Sequence, residues 1–104
     1  MTWSDEIIQS VWEKGKTEPG IDPYVWRKDD CDAWIGRRFY GNRDHDHGWE
    51  IDHISPGGSD DLSNLRPLQW QNNLDKSDGS LKCKVISLGL ENVDVDSQHR
   101  TDKF

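Results

Sequence analysis

The run Trp49-Glu50-Ile51-Asp52-His53-Ile54 decides how this chain is read, together with Gly57-Gly58-Ser59-Asp60-Asp61-Leu62-Ser63-Asn64-Leu65 and Asn72-Asn73-Leu74-Asp75-Lys76 downstream. Its first segment alternates Trp49, Ile51 and His53 against Glu50, Asp52 and Ile54, which is the two-residue period of a strand. Pro56-Gly57-Gly58 marks residues 55–61 as a loop. A helix is expected from Gln69 or Trp70 to Lys76, stopped by Ser77-Asp78-Gly79. An Asp next to a His at a strand end sets a hard oxygen ligand beside an imidazole. That ring titrates near neutrality and can serve as a general base. A following helix can return the amide oxygen of Asn73 to the same place. Oxygen ligands with open positions suit Mg²⁺ or Mn²⁺. A metal, a base and water together suit phosphodiester hydrolysis.

Working outward, residues 33–40 contain Trp34, Ile35, Phe39 and Tyr40 and read as a strand, paired as a hairpin with a strand over residues 49–54 across the polar turn 41–48. Residues 4–14 read as a helix. Ser4 is the N-cap, Asp5 and Glu6 suit the helix dipole, and Ile7, Ile8, Val11 and Trp12 form one apolar stripe ahead of Gly15. Asp22-Pro23 predicts a short helix over residues 23–28. Residues 81–88 read as a further strand, and the chain from Glu91 onward is polar and acidic with a frayed end. The expected fold class is α+β: one domain over residues 1–104, with a motif core at 33–76, an N-terminal helix, an extra C-terminal strand and an acidic segment at 90–104.

Hydrophobic and charged residues each make up 32% of the 104 residues, so the core must be small. Six tryptophans let a few aromatics do the work of many aliphatics. Cys31 and Cys83 form no CxxC pair, so no structural zinc is expected. They could form one disulfide. The opening ten residues, however, are polar and acidic with no apolar signal segment, so both thiols are read as reduced and buried in a cytoplasmic protein. No apolar run is long enough to span a membrane. The net charge of -7 is concentrated at the two ends, where residues 1–23 and 90–104 carry most of it. Arg37, Arg38, Arg66 and Lys76 in the middle are candidate phosphate contacts. The acidic total predicts weak, salt-sensitive nucleic-acid binding.

Residues 49–76 resemble the ββα-metal (His-Me finger) motif of HNH endonucleases, in the variant whose last position is Asn, as found in small bacterial and phage-type members. The residues that carry the resemblance are Asp52-His53, Gly57-Gly58, Asn64-Leu65 and Asn73-Leu74-Asp75-Lys76, with Asn73 nine positions after Asn64. Looser support comes from Cys31-Asp32-Ala33-Trp34-Ile35 and Leu65-Arg66-Pro67-Leu68-Gln69-Trp70. The resemblance implies a divalent-metal-dependent endonuclease. In it His53 takes the proton of the attacking water, Asp52 and Asn73 hold one Mg²⁺ or Mn²⁺, and Asn64 braces the loop and orients His53. The implied substrate is duplex or branched DNA, with RNA not excluded, and the products carry 5′-phosphate and 3′-hydroxyl ends. Two departures stand out. The loop from His53 to Asn64 is shorter than in common members, and the zinc-binding cysteine pairs of many relatives are absent.

Other readings stay open. Asn72 rivals Asn73 as a ligand, and Asn64 can simply cap the following turn. Glu50 shares the Asp52 face, as a group supporting the site or facing solvent. His45-Asp46-His47 reads as a solvated turn, because two residues at i and i+2 bind metal only with further partners. Two alternatives to an enzyme remain: a non-catalytic module binding nucleic acid or protein on the same fold, and an acidic mimic of DNA. Whether the protein is a monomer or an oligomer is left open.

Overall fold

Ser4 starts the first helix as its sequence suggests: its side-chain oxygen accepts the Ile7 N–H at 3.2 Å. A computed structural model describes residues 2–76 and 79–96 of the chain. The helix stop expected at Ser77 and Asp78, and the acidic segment beyond Asp96, fall outside the described residues. Helix α1 spans Asp5–Trp12 and buries Ile8, Val11 and Trp12. It ends through tightening turns, with Lys14 N–H bonded to Val11 O and Gly15 N–H to Trp12 O. Gly15 is closely approached, since a Cβ there would sit a tight 3.0 Å from the Arg27 Cβ.

The helix expected over residues 23–28 does not form. Asp22 accepts the Tyr24 N–H through its side chain and the Val25 and Trp26 N–H groups through its carbonyl, which closes one turn. The chain then enters β1 (Trp26–Lys28), which pairs antiparallel with β2 (Trp34–Gly36). A single turn fixes three residues for one hydrogen bond, and the ladder with β2 offers more. The strand expected over residues 33–40 is likewise cut short. It breaks at Gly36, where a Cβ would lie 2.5 Å from the Phe39 ring, and passes into a 3-10 turn at Arg37–Phe39.

Strand β3 (Trp49–His53) is therefore not the partner of residues 33–40, which meet it only at an isolated Tyr40–Trp49 bridge. It pairs antiparallel with β4 (Leu65–Gln69), a strand the sequence reading passed over. Pro67 stands opposite Ile51 in this two-stranded sheet. Each strand there keeps an open edge, where a missing N–H is tolerated. Helix α2 (Trp70–Asp75) follows at once, N-capped by the Gln69 side chain, which accepts the Gln71 and Asn72 N–H groups. A third antiparallel pair, β5 (Val85–Leu88) and β6 (Glu91–Asp94), replaces the one strand expected over residues 81–88. The result is a small α+β domain with two helices and three separate two-stranded sheets among the described residues.

The core lies where α1 crosses β3 and β4. Ile8, Val11, Trp12, Ile35, Trp49 and Leu65 form one buried cluster, with Trp3, Ile7, Tyr40 and Ile51 packed against it. Trp12 and Tyr40 flank Trp49 at ring separations of 5.4 and 5.0 Å. Burying aromatic area on this scale offsets the shortage of aliphatics.

The β5–β6 hairpin is fastened from beneath. Cys31 and Cys83 form a disulfide with Cα atoms 5.2 Å apart, so the expectation of two reduced thiols is wrong. The buried amide of Asn72 mimics a strand by donating to Val85 O at 2.9 Å and accepting from Val85 N at 2.8 Å. Asn92 does the same for the Trp34 backbone, at 2.7 and 2.8 Å. Asp29 anchors the whole junction. One carboxylate oxygen accepts the N–H groups of Cys31 and Ala33, and the other accepts those of Gln69 and the Asn72 side chain.

Candidate functional site

Register places Asp52 opposite Arg66 and His53 opposite Leu65 on the β3–β4 sheet. Asp52, on the strand face expected to meet solvent, is only 5% exposed. A buried carboxylate needs donors or a counter-charge. Asp52 has both. Arg66 Nε donates to one carboxylate oxygen at 2.8 Å, and Lys76 Nζ donates to the other. Lys76 also reaches His53 O at 3.1 Å, and Arg66 reaches Asp30 at 3.3 Å. Arg66 and Lys76, expected to contact phosphate, thus neutralise the carboxylate that was expected to hold a metal.

His53 stands at the strand end with its ring 5.8 Å from that of Trp3. Its Nε2 lies 2.6 Å from Asp60 Oδ1. Asn64 clasps the intervening loop: its side-chain oxygen accepts Ser55 N–H at 2.9 Å and its amide donates to Ser59 O at 2.8 Å. Gly58 fits beneath that amide, where a Cβ would come within 2.8 Å. Asn64 reaches the His53 end of the strand through its backbone, whose carbonyl accepts Ile54 N–H at 2.8 Å.

Asn73 turns elsewhere. Its amide donates to Glu50 Oε1 at 2.8 Å, and the Arg43 guanidinium forks onto the same carboxylate at 2.6 and 2.9 Å. Burial pushes the Glu50 carboxyl up, but Arg43 and Asn73 outweigh it and hold it below its ordinary range. Asn72 is fully buried on Asp29 and Val85. Arg37 Nε donates to Gln9 on α1, and the Arg38 guanidinium lies 5.0 Å above the ring of its neighbour Phe39. His45 stacks on Phe39 at 3.5 Å, so the ring packs against the protein rather than sitting in a solvated turn.

Three expectations fail on this geometry. Among the described residues there is no group of three or more His, Cys, Asp or Glu side chains able to hold a metal ion. Both oxygens of Asp52, expected to share a metal with Asn73, are taken by Arg66 and Lys76, while the Asn73 amide N–H donates to Glu50. The reading as an Mg²⁺- or Mn²⁺-dependent endonuclease, with His53 as base and Asp52 and Asn73 as ligands, is therefore corrected. The expectation of a metal-binding nuclease falls with it.

Charge is unevenly exposed on the described surface. Thirteen of the eighteen described carboxylates are exposed, against five of the eleven described Lys and Arg residues (Lys14, Lys16, Arg38, Arg43 and Lys82). Most cations are drawn down onto the chain itself. Lys14 donates to the Leu62 and Leu65 carbonyls. Arg27 donates to those of Pro23, Glu13 and Gly15. Lys28 pairs with Glu18, and Lys84 with Asp94 and Asp96. Sequence reasoning missed Asp29, Gln69 and Asn92 because each looks like an ordinary surface polar residue. Only the unusual density of Asp around Cys31 hinted at Asp29. No helix among the described residues is long and apolar enough to cross a membrane. No family model, no curated protein and no solved structure matches this chain.

Proposed function

We propose that this chain is a non-catalytic, protein-binding module that docks a basic surface of its partner. The observation that carries this reading is the sorting of charge: most described carboxylates face solvent while most Lys and Arg side chains are engaged by the chain's own carboxylates and carbonyls. A duplex or single strand of nucleic acid needs exposed cations to displace its counterions. A surface of one sign instead steers an opposite partner and raises its rate of encounter. The Cys31–Cys83 disulfide fits oxidising surroundings, which replaces the cytoplasmic expectation.

The test is isothermal titration of the intact protein with a Lys/Arg-rich polypeptide, duplex DNA and single-stranded RNA over a range of salt concentrations. Saturable binding of one basic polypeptide per chain, weakening with salt, is the expected result. Comparable binding of either nucleic acid, or no saturable binding of the polypeptide, overturns the reading.

A further inference from the structure

A shallow apolar cleft opens between the β1–β2 hairpin and the turn joining β5 to β6. It measures about 270 Å³ and is lined by Ile21, Trp26, Trp34, His47 and Leu90. Its walls are fixed. The Trp34 indole N–H donates to Gly89 O at 2.8 Å, and the Asn92 amide holds the Trp34 backbone. The Trp26 and His47 rings pack edge to face with their centroids 5.0 Å apart. Leu90, at the hairpin tip, is 73% exposed. A preformed apolar wall with an exposed leucine at its lip is costly to leave in water. The volume is below the roughly 300–1,000 Å³ of clefts that enclose drug-sized ligands. It suits one large side chain.

Charge identifies whose side chain. Three lining residues each have an exposed carboxylate as chain neighbour: Asp22 beside Ile21, Asp46 beside His47 and Glu91 beside Leu90. The cations near these walls are already engaged. Lys28 sits 4.8 Å above the Trp34 ring and pairs with Glu18 at 3.0 Å, and Arg27 is turned onto three backbone carbonyls. A second copy of this chain, at -7, would bring like charge to the rim. Resting on the proposed protein-binding role, we infer that this cleft is the docking socket for a single large apolar side chain flanked by Lys or Arg in an extended segment of the partner protein. The apolar anchor fills the space between Trp26, Trp34 and Leu90. The flanking cations meet Asp22, Asp46 and Glu91.

Three fluorescein-labelled peptides test this by anisotropy against the intact protein: a Lys/Arg peptide with a central Leu, the same peptide with Gly at the centre, and a Glu peptide with the central Leu. Loss of a buried leucine side chain corresponds to roughly ten- to a hundredfold in affinity. The basic Leu peptide is expected to bind at least about tenfold more tightly than the other two. Its binding should weaken with Leu90→Ser and with Glu91→Gln, both at exposed positions, and it should move the Trp26 and Trp34 indole resonances in NMR spectra. Equal binding of the two basic peptides sinks the socket while leaving a charge-driven protein-binding role intact. Equal binding of the Glu peptide sinks the charge argument at the rim. If neither basic peptide binds, the socket and the proposed role both fail. Unmoved indole resonances on binding place the contact elsewhere and overturn the socket.

Discussion

Asp52 on β3 and Arg66 on β4 face each other directly across the sheet and are joined side chain to side chain at 2.8 Å. With Lys76 on the second carboxylate oxygen, two cations close over one buried anion. Removing the anion leaves two largely buried cations with only the exposed Asp30 on Arg66 and the His53 carbonyl on Lys76, which is the costly way to break such a group. Asp52→Ala is expected to destabilise the protein by about 3–5 kcal/mol. Urea denaturation monitored by tryptophan fluorescence measures it. A loss of under about 1 kcal/mol, as for an exposed pair, would contradict this account.

Asn72 supports the β5–β6 hairpin by reading both polar groups of Val85. Asn72→Ala leaves those groups, and one oxygen of Asp29, short of a partner in a buried place. The expected cost is on the order of 3 kcal/mol. Amide hydrogen exchange gives the local check: the Val85 N–H should lose its protection in the variant, while amides of α1 keep theirs up to the limit of global opening.

The disulfide joins residues 52 positions apart. Closing a loop of that length removes chain entropy worth about 4 kcal/mol from the unfolded state. A Cys31→Ala/Cys83→Ala double variant is expected to lose stability on that scale in urea. Thiol titration of the unreduced, unfolded protein should find no free thiol, and two after reduction. Free thiols before reduction would overturn the assignment.

Glu50 and Asp29 predict opposite responses to pH. Glu50 is held below its ordinary value of 4.5 by Arg43 and Asn73 against the effect of burial. Its stabilising contribution is therefore present above that value and is lost as the pH falls through the lower folded value. The stability gap between wild type and Glu50→Gln should close on acidification in that window. Burial is the main influence on Asp29 and pushes it above 3.8, against the pull of its four N–H donors. Its contribution is fully present below 3.8 and declines as the pH rises through the folded value. Denaturation curves collected from neutral to acid pH separate the two. A Glu50→Gln gap that widens on acidification would reverse the assignment.

Much of the local structure was legible. Ser4 and the stripe from Ile7 to Trp12 specify α1 because cap and packing face lie within three turns of one another. Trp49 to His53 and Trp70 to Asp75 were equally readable. Pairing was not. Nothing near residues 33–40 says that they will be interrupted by the Phe39 ring folding back on Gly36. Pro67 disguises β4, since a proline argues against a strand wherever the sheet continues on both sides. The candidate site failed for a related reason. Asp52 read as a metal ligand and Arg66 and Lys76 as phosphate contacts, and sequence could not show that these three side chains would instead satisfy one another. Asp29 and Asn72 lie 43 positions apart, and no local pattern links two residues at that separation.

The cross-link between Cys31 and Cys83 also encloses β2, β3, β4 and α2, together with the exposed loop of Ser55 to Asp61. A protease that cuts this loop opens a ring rather than severing a string. The nicked protein should therefore run as one band on a non-reducing gel and as two after reduction, and it should keep its tryptophan core between those two steps.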